Sequence, residues 1–356
     1  MPPSPAKPRL FTPKSIGILA VAVVALGLWL ALTGIRFDWH SLGVQLRSVS
    51  AFDIVVAIAI VYVCYVLRAA RWAVLLSPLC KTSTLQMTGP QFIGFALVGL
   101  FGRVADLARP YLIARRTRTT VASQLAVYSI ERAFDLGAAA ILFSITLAFA
   151  PRDMPHHEAF TQAGAVSLAA TALLVVFAFA LRVAGARIAA LAARLLAPLS
   201  GKLSATAATH ILSFSEGLRI VSTLGEFLAV LALSLLMWLG IALGYLLTAH
   251  GFRASPQLAG FSFAATMLLL ATSMGGSVLQ LPILGWFTQI ALLAAALHGF
   301  FGVPLETASA CGAVLLFVMS LAVIPAGLIA ARMEGISLLE AAQAEVVTRL
   351  ELFGRL

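Results

Sequence analysis

Residues 102–135 concentrate ionisable groups inside a chain that is otherwise strongly apolar. Arg103, Asp106 and Arg109 recur at every third position, and Glu131, Arg132 and Asp135 follow within the next hydrophobic run. Three residues turn a helix by about 300°, so on a helix the first three would share one face, with two guanidiniums flanking a carboxylate. A guanidinium fork matches a phosphate in bidentate geometry, and Asp106 would orient the two forks. Pro110 lacks a backbone N–H and, in such a helix, leaves the Asp106 carbonyl free. The alternative is that Arg103 and Arg109 lie at head-group level and snorkel, as Arg115 and Arg116 are expected to do. Glu131 lies ten residues into its apolar run, about 15 Å deep at 1.5 Å per residue and near the middle of a bilayer core. Asp135 is one turn further on, and Arg132 can pair with it at i,i+3. Charges at that depth must face the protein interior, either to handle a substrate or proton or to pin helices together as an ion cluster.

The elements that position these groups follow from composition. Of 356 residues, 61% are hydrophobic and only 11% are charged, with a mean hydropathy of +1.01. A soluble domain carries about 25% charged residues. The pattern therefore predicts an all-α polytopic membrane protein. The net charge of +10 resides at the ends of apolar runs, where basic residues orient spans and meet anionic lipid, so nucleic acid is not an expected partner.

Read in order, residues 1–14 form a disordered cytoplasmic tail and 15–332 the transmembrane unit. Full spans are expected at 16–32, 52–76, 121–150, 161–181, 226–249 and 305–331, with an external loop or interfacial helix at 34–50. Arg68 and Arg71 fall near the cytoplasmic end of the second span, beside Trp72 as an interfacial anchor. Residues 85–114 are interrupted by Gly89, Pro90, Gly94, Gly99, Gly102 and Pro110 and have basic flanks on both sides. They are expected to enter from the cytoplasm and return to it as a re-entrant hairpin. Residues 182–225 read as helices on the inner leaflet. A second hairpin at 257–301 is hinged at Gly275, Gly276 and Pro282. The tail 333–356 reads as an amphipathic cytoplasmic helix. Paired broken hairpins of opposite orientation suggest an inverted repeat around a central site, and both termini are expected in the cytoplasm.

Neither the three cysteines nor the six histidines form a metal or disulfide pattern, and no nucleophile–base or phosphate-loop motif is present. No cofactor and no metal are expected.

The run Gly102-Arg103-x-x-Asp106-Leu107-x-Arg109-x-Tyr111-Leu112, followed by Glu131-Arg132-x-x-Asp135, resembles the signature G-x-x-G-E-x-x-R-x-Y-L…E-R-x-x-D of the lysylphosphatidylglycerol synthase transmembrane, or flippase-like, family. The resemblance runs from about residue 52 to 332. It implies a stand-alone member without the soluble aminoacyl transferase, and adds Tyr111 to the candidate site. Asp106 stands where the family has Glu. The later G-G-x-G-x-x-E motif is reduced to Gly275-Gly276-Ser277-Val278-Leu279-Gln280, without the third glycine or the carboxylate. The expected function is an inner-membrane lipid transporter whose partner is a phosphate-bearing or other amphipathic membrane lipid. In that reading Arg103, Asp106, Arg109 and Tyr111 contact the substrate, and Glu131, Arg132 and Asp135 line or gate the cavity. The runner-up readings are an intramembrane enzyme and a non-catalytic partner of lipid-, glycolipid- or hopanoid-synthesis enzymes.

Overall fold

The computed structural model describes residues 38–149, 157–198, 223–276 and 284–336, with short pieces between 200 and 212. Among them every regular element is helical, as an apolar chain that must satisfy its backbone away from water requires. The helices are α1 (Trp39–Ser48), α2 (Ala51–Leu76), α3 (Thr84–Phe101), a 3₁₀ turn (Arg103–Leu107), α4 (Ala108–Thr117), α5 (Val121–Ala148) and α6 (His157–Leu196). They continue as α7 (Leu224–His250), α8 (Phe263–Gly276), α9 (Leu284–Phe301), α10 (Leu305–Leu316), a π turn (Phe317–Leu321) and α11 (Ile324–Met333). The protein is a multi-pass membrane protein. Among the described residues, α2, α7 and the run Leu305–Met333 are long and apolar enough to cross a bilayer. The expected first span at 16–32 and the tail beyond 336 lie outside the described residues.

Helix starts follow local chemistry. Ser83 and Gln86 form a reciprocal capping box at α3, and Thr223 and Glu226 do the same at α7. Each box satisfies amide N–H groups that have no partner in the first turn. Thr120 caps α5 by accepting from the Ser123 amide. The α1 segment is amphipathic, is capped by Asp38 and packs on α10.

The span placed at 161–181 lies within α6, whose backbone turns non-helical at Ala184, so two helices meet there, next to the expected start of the inner-leaflet connector. The span placed at 305–331 lies within the run Leu305–Met333 and carries the π turn, where the Ala322 amide donates to the Phe317 carbonyl ahead of Pro325. There Tyr62 donates to the Ala322 carbonyl at 2.8 Å and Tyr65 to that of Met319 at 3.3 Å, so α2 satisfies acceptors that the π turn releases. Two sequence expectations need correction. Trp72 is wholly buried in a cluster with Leu75, Met87 and Val127, not placed at an interface. Finally, residues 103–107 form a 3₁₀ turn, not an α-helix, so Arg103, Asp106 and Arg109 do not share the face of one α-helix.

Gly102 (φ 77°) reverses the chain between α3 and the 3₁₀ turn, in backbone space that side chains with a Cβ rarely enter. The α4 segment then lies back along α3. A Cβ on Gly94 would collide with the Arg109 side chain, so the glycine opens the slot through which that arginine reaches inward. In the second half, Gly275 and Gly276 close α8, while Pro282 falls outside the described residues. Trp286 of α9 donates to the Gly99 carbonyl at 3.0 Å, tying the late hairpin to the end of α3.

Candidate functional site

The charged groups converge where α2, α4 and α5 meet. Arg71 holds the centre. Its Nη1 donates to Asp135 Oδ1 at 2.6 Å and to Ser234 Oγ at 2.8 Å, and its Nη2 donates to Glu131 Oε1 at 2.6 Å. Arg71 and Glu131 are both wholly buried. Arg109 is equally buried. Its Nε donates to Asp106 Oδ1 at 2.9 Å, and its Nη1 donates to Gln91 Oε1 at 3.1 Å and lies 3.4 Å from Glu131 Oε2. Asp106 also accepts from Tyr128 at 2.5 Å. Arg132 lies 3.2 Å from Glu131 and 3.0 Å from Asp135, with about a third of its side chain (31%) exposed. Phe95 is inserted between Arg68 and Arg109, whose guanidinium carbons lie 4.9 and 4.5 Å from its ring centre. The negative face of the ring offsets part of the cost of holding two cations together.

Arg68 and Arg71 are the residues that sequence reasoning missed as site members. Their position near the end of α2 suggested topology charges, yet both side chains turn inward. The reason is electrostatic. A buried carboxylate must be paired, and α5 alone carries Glu131 and Asp135 against one Arg132. That local surplus of acid was the available signal, and the one-turn spacing of Arg68 and Arg71 identifies a helix face that could answer it.

The cluster forms one wall of a cavity of about 380 Å³ between the two halves of the chain, within the size range of small-molecule sites. Arg68, Asp106, Arg132 and Asp135 line the charged wall, and Tyr245, Ser273 and Gln289 lie among its other lining residues. Across the described side chains, four arginines (68, 71, 109, 132) face three carboxylates (106, 131, 135), leaving one positive charge in surplus. Arg68 carries the loosest pairing. Its Nη1 is 3.7 Å from Glu131 and 3.5 Å from Asp135, and has no hydrogen-bond partner. These separations exceed ordinary charge-assisted hydrogen bonds of about 2.7–2.9 Å.

The other anticipated residues fall as follows. Asp106, Arg132 and Asp135 reach the cavity. Arg109 is not among the residues lining it; its buried guanidinium meets Asp106, Gln91 and Glu131 instead. Tyr111 packs with Phe101, Ala330 and Ile336 against Leu97 and Leu112, away from the charges. The backbone of Arg103 lies in the 3₁₀ turn beside the cluster. Among the described residues, no group of His, Cys, Asp and Glu is arranged to hold a metal ion. The carboxylates that do converge are engaged by arginine.

A family model described as Lysylphosphatidylglycerol synthase TM region matches residues 17–327, well over half of the chain, and the chain belongs to that family. No curated protein and no solved structure matches it.

Proposed function

We propose that this member of the lysylphosphatidylglycerol synthase transmembrane family binds a singly anionic, phosphate-bearing lipid through its head group and moves it between leaflets. The observation that carries the reading is the under-paired Arg68 in the cavity wall, within a cluster that has one positive charge to spare. Buried guanidinium without hydrogen-bond acceptors is costly, and a phosphodiester oxygen would relieve that cost. Arg132, partly exposed beside it, supplies a second fork. Arg71, Arg109, Glu131 and Asp106 hold these two in place and do not bind lipid directly.

Family membership supports a role in lipid synthesis or movement, and the shape of the molecule supports movement. A second, almost wholly apolar groove of about 340 Å³ runs between α2 and α7, lined by Val55, Ile60, Val63, Leu67 and Leu236. Cys64 lines both the groove and the charged cavity. A lipid could thus keep its chain in apolar surroundings while its head group enters the polar wall. The native setting in this proposal is the inner membrane, with both termini in the cytoplasm.

The test is leaflet exchange of labelled phosphatidylglycerol and phosphatidylcholine in proteoliposomes. Wild type should accelerate exchange of the anionic lipid, and Arg68→Gln should abolish that acceleration while the protein still accumulates. Equal exchange by wild type and Arg68→Gln would refute the reading.

A further inference from the structure

The cavity has a second polar wall, on α7, α8 and α9, that the charged cluster does not explain. Tyr245 donates to Ser273 Oγ at 2.8 Å, and Gln289 Nε2 donates to the same oxygen at 3.2 Å. All three side chains are at least nine-tenths buried and line the cavity. A serine hydroxyl has two lone pairs and one proton. Both lone pairs are occupied here, so the remaining capacity of Ser273 is as a donor. Neighbouring Thr272 returns its hydroxyl to the Leu268 carbonyl at 2.9 Å. Among the described residues, Ser273 has no acceptor for its own proton. A buried donor held by two others in a cavity wall is arranged to meet an oxygen that arrives with the ligand.

The charges restrict that ligand further. The only carboxylates among the described lining residues are Asp106 and Asp135. Asp106 is engaged by Arg109 and Tyr128, and Asp135 by Arg71 and Arg132. An ammonium in the head group would add a cation to a cluster already in positive surplus, with no unpaired carboxylate to receive it.

We propose that Tyr245, Ser273 and Gln289 form a second subsite that reads an uncharged hydroxyl oxygen of the head group, so that the cavity selects polyol phosphodiester lipids over aminoacylated ones. This rests on the anionic-lipid reading above and adds a specificity determinant to it. Ser273 supplies the hydrogen bond to ligand; Tyr245 and Gln289 are positioning residues that fix its proton's direction.

The test compares lipids with the same phosphodiester charge. Phosphatidylglycerol carries two head-group hydroxyls and phosphatidylpropanol carries none. Competition binding to the full-length protein in detergent should show wild type preferring phosphatidylglycerol about 3–10-fold, the worth of one neutral hydrogen bond. Lysyl-phosphatidylglycerol should bind more weakly than phosphatidylglycerol. Ser273→Ala should erase the preference and leave phosphatidylpropanol binding unchanged. Because that change strands the Tyr245 hydroxyl as well as the Gln289 amide, Tyr245→Phe/Ser273→Ala removes one of the two stranded donors and should give the same loss of preference with a higher melting temperature than Ser273→Ala alone. Arg68→Gln should weaken both lipids alike. Equal binding of the two lipids by wild type would overturn the subsite alone, as would a preference that survives in the double variant, or tighter binding of the lysyl lipid. If neither anionic lipid outcompetes phosphatidylcholine, the anionic-lipid reading falls and the subsite falls with it.

Discussion

Arg71 and Glu131, sixty positions apart in sequence, meet at 2.6 Å with both side chains wholly buried. This pair, not the neighbouring Arg132, is the main neutralising contact for the acid on α5. Removing one partner of a buried pair costs about 3–5 kcal/mol, because the other charge remains uncompensated. Arg71→Met should therefore fail to accumulate, and Arg71→Met/Asp135→Asn should recover part of the yield. Membrane-fraction immunoblots give the comparison, and a wild-type level for Arg71→Met would show that the pair is not structural.

Arg132→Ala should be milder. Its side chain keeps about a third of its surface exposed, and Arg71 still holds both carboxylates without it. We expect a loss below the roughly 3 kcal/mol of a fully buried partner, with the protein purifiable and anionic-lipid exchange reduced. Membrane-fraction immunoblots of Arg132→Ala and Arg71→Ala, run side by side, should show clearly more of the Arg132 variant.

Close helix contact makes another prediction. A Cβ at Gly327 would strike the Ala96 side chain and lie 2.7 Å from the Phe92 carbonyl, whereas one at Gly299 meets nothing within 4 Å. Overpacking a tight contact costs about 1–3 kcal/mol. Gly327→Ala should lower the melting temperature by loosening α11 from α3, and Gly299→Ala should not lower it. A neutral Gly327→Ala would mean that these two helices separate freely.

A pH effect is expected at α1, which is not among the candidate spans. The Asp38 carboxyl is held below its ordinary value by the Ser41 hydroxyl, 2.7 Å away, assisted by the Ser41 and His40 amides. A depressed carboxyl pKa makes its contribution above the unfolded value and loses it as pH falls through the folded one. The start of α1 should accordingly fray below about pH 4, the ordinary aspartate range. Hydrogen exchange of the α1 amides should accelerate there in wild type. In Asp38→Asn it should be independent of pH, once intrinsic exchange is subtracted.

Topology can be read with cysteines at Lys81 and Thr119, in a background where native Cys80, which is partly exposed, is serine. If the α3–α4 hairpin opens to the cytoplasm, as its basic flanks imply, neither position should react with an impermeant thiol reagent applied to intact cells. Labelling of either one from outside would reverse the assigned orientation.

Much of the architecture is local in origin and was therefore legible in the residues. Apolar runs of bilayer length specify spans, and Gly102 interrupts the helix before it. The Arg132–Asp135 contact follows from i,i+3 spacing, and the Asp106–Arg109 pair follows from near neighbours even though the helix expected to carry them is a 3₁₀ turn. The family, too, could be recognised from short motifs. Nothing local could decide which distant cation answers Glu131, because a buried charge pairs with whatever the packing brings within about 3 Å. Arg68 and Arg71 have the composition of interfacial topology charges, and only the packing of α2 against α5 and α7 turns them inward. The same holds for Ser273. Its significance lies in two donors from other helices occupying both lone pairs, a circumstance created by three-dimensional packing. Composition settled that the chain lives in a membrane, since transfer cost accrues residue by residue. Tertiary structure decided which charges are already satisfied and which face the cavity still in need of a partner.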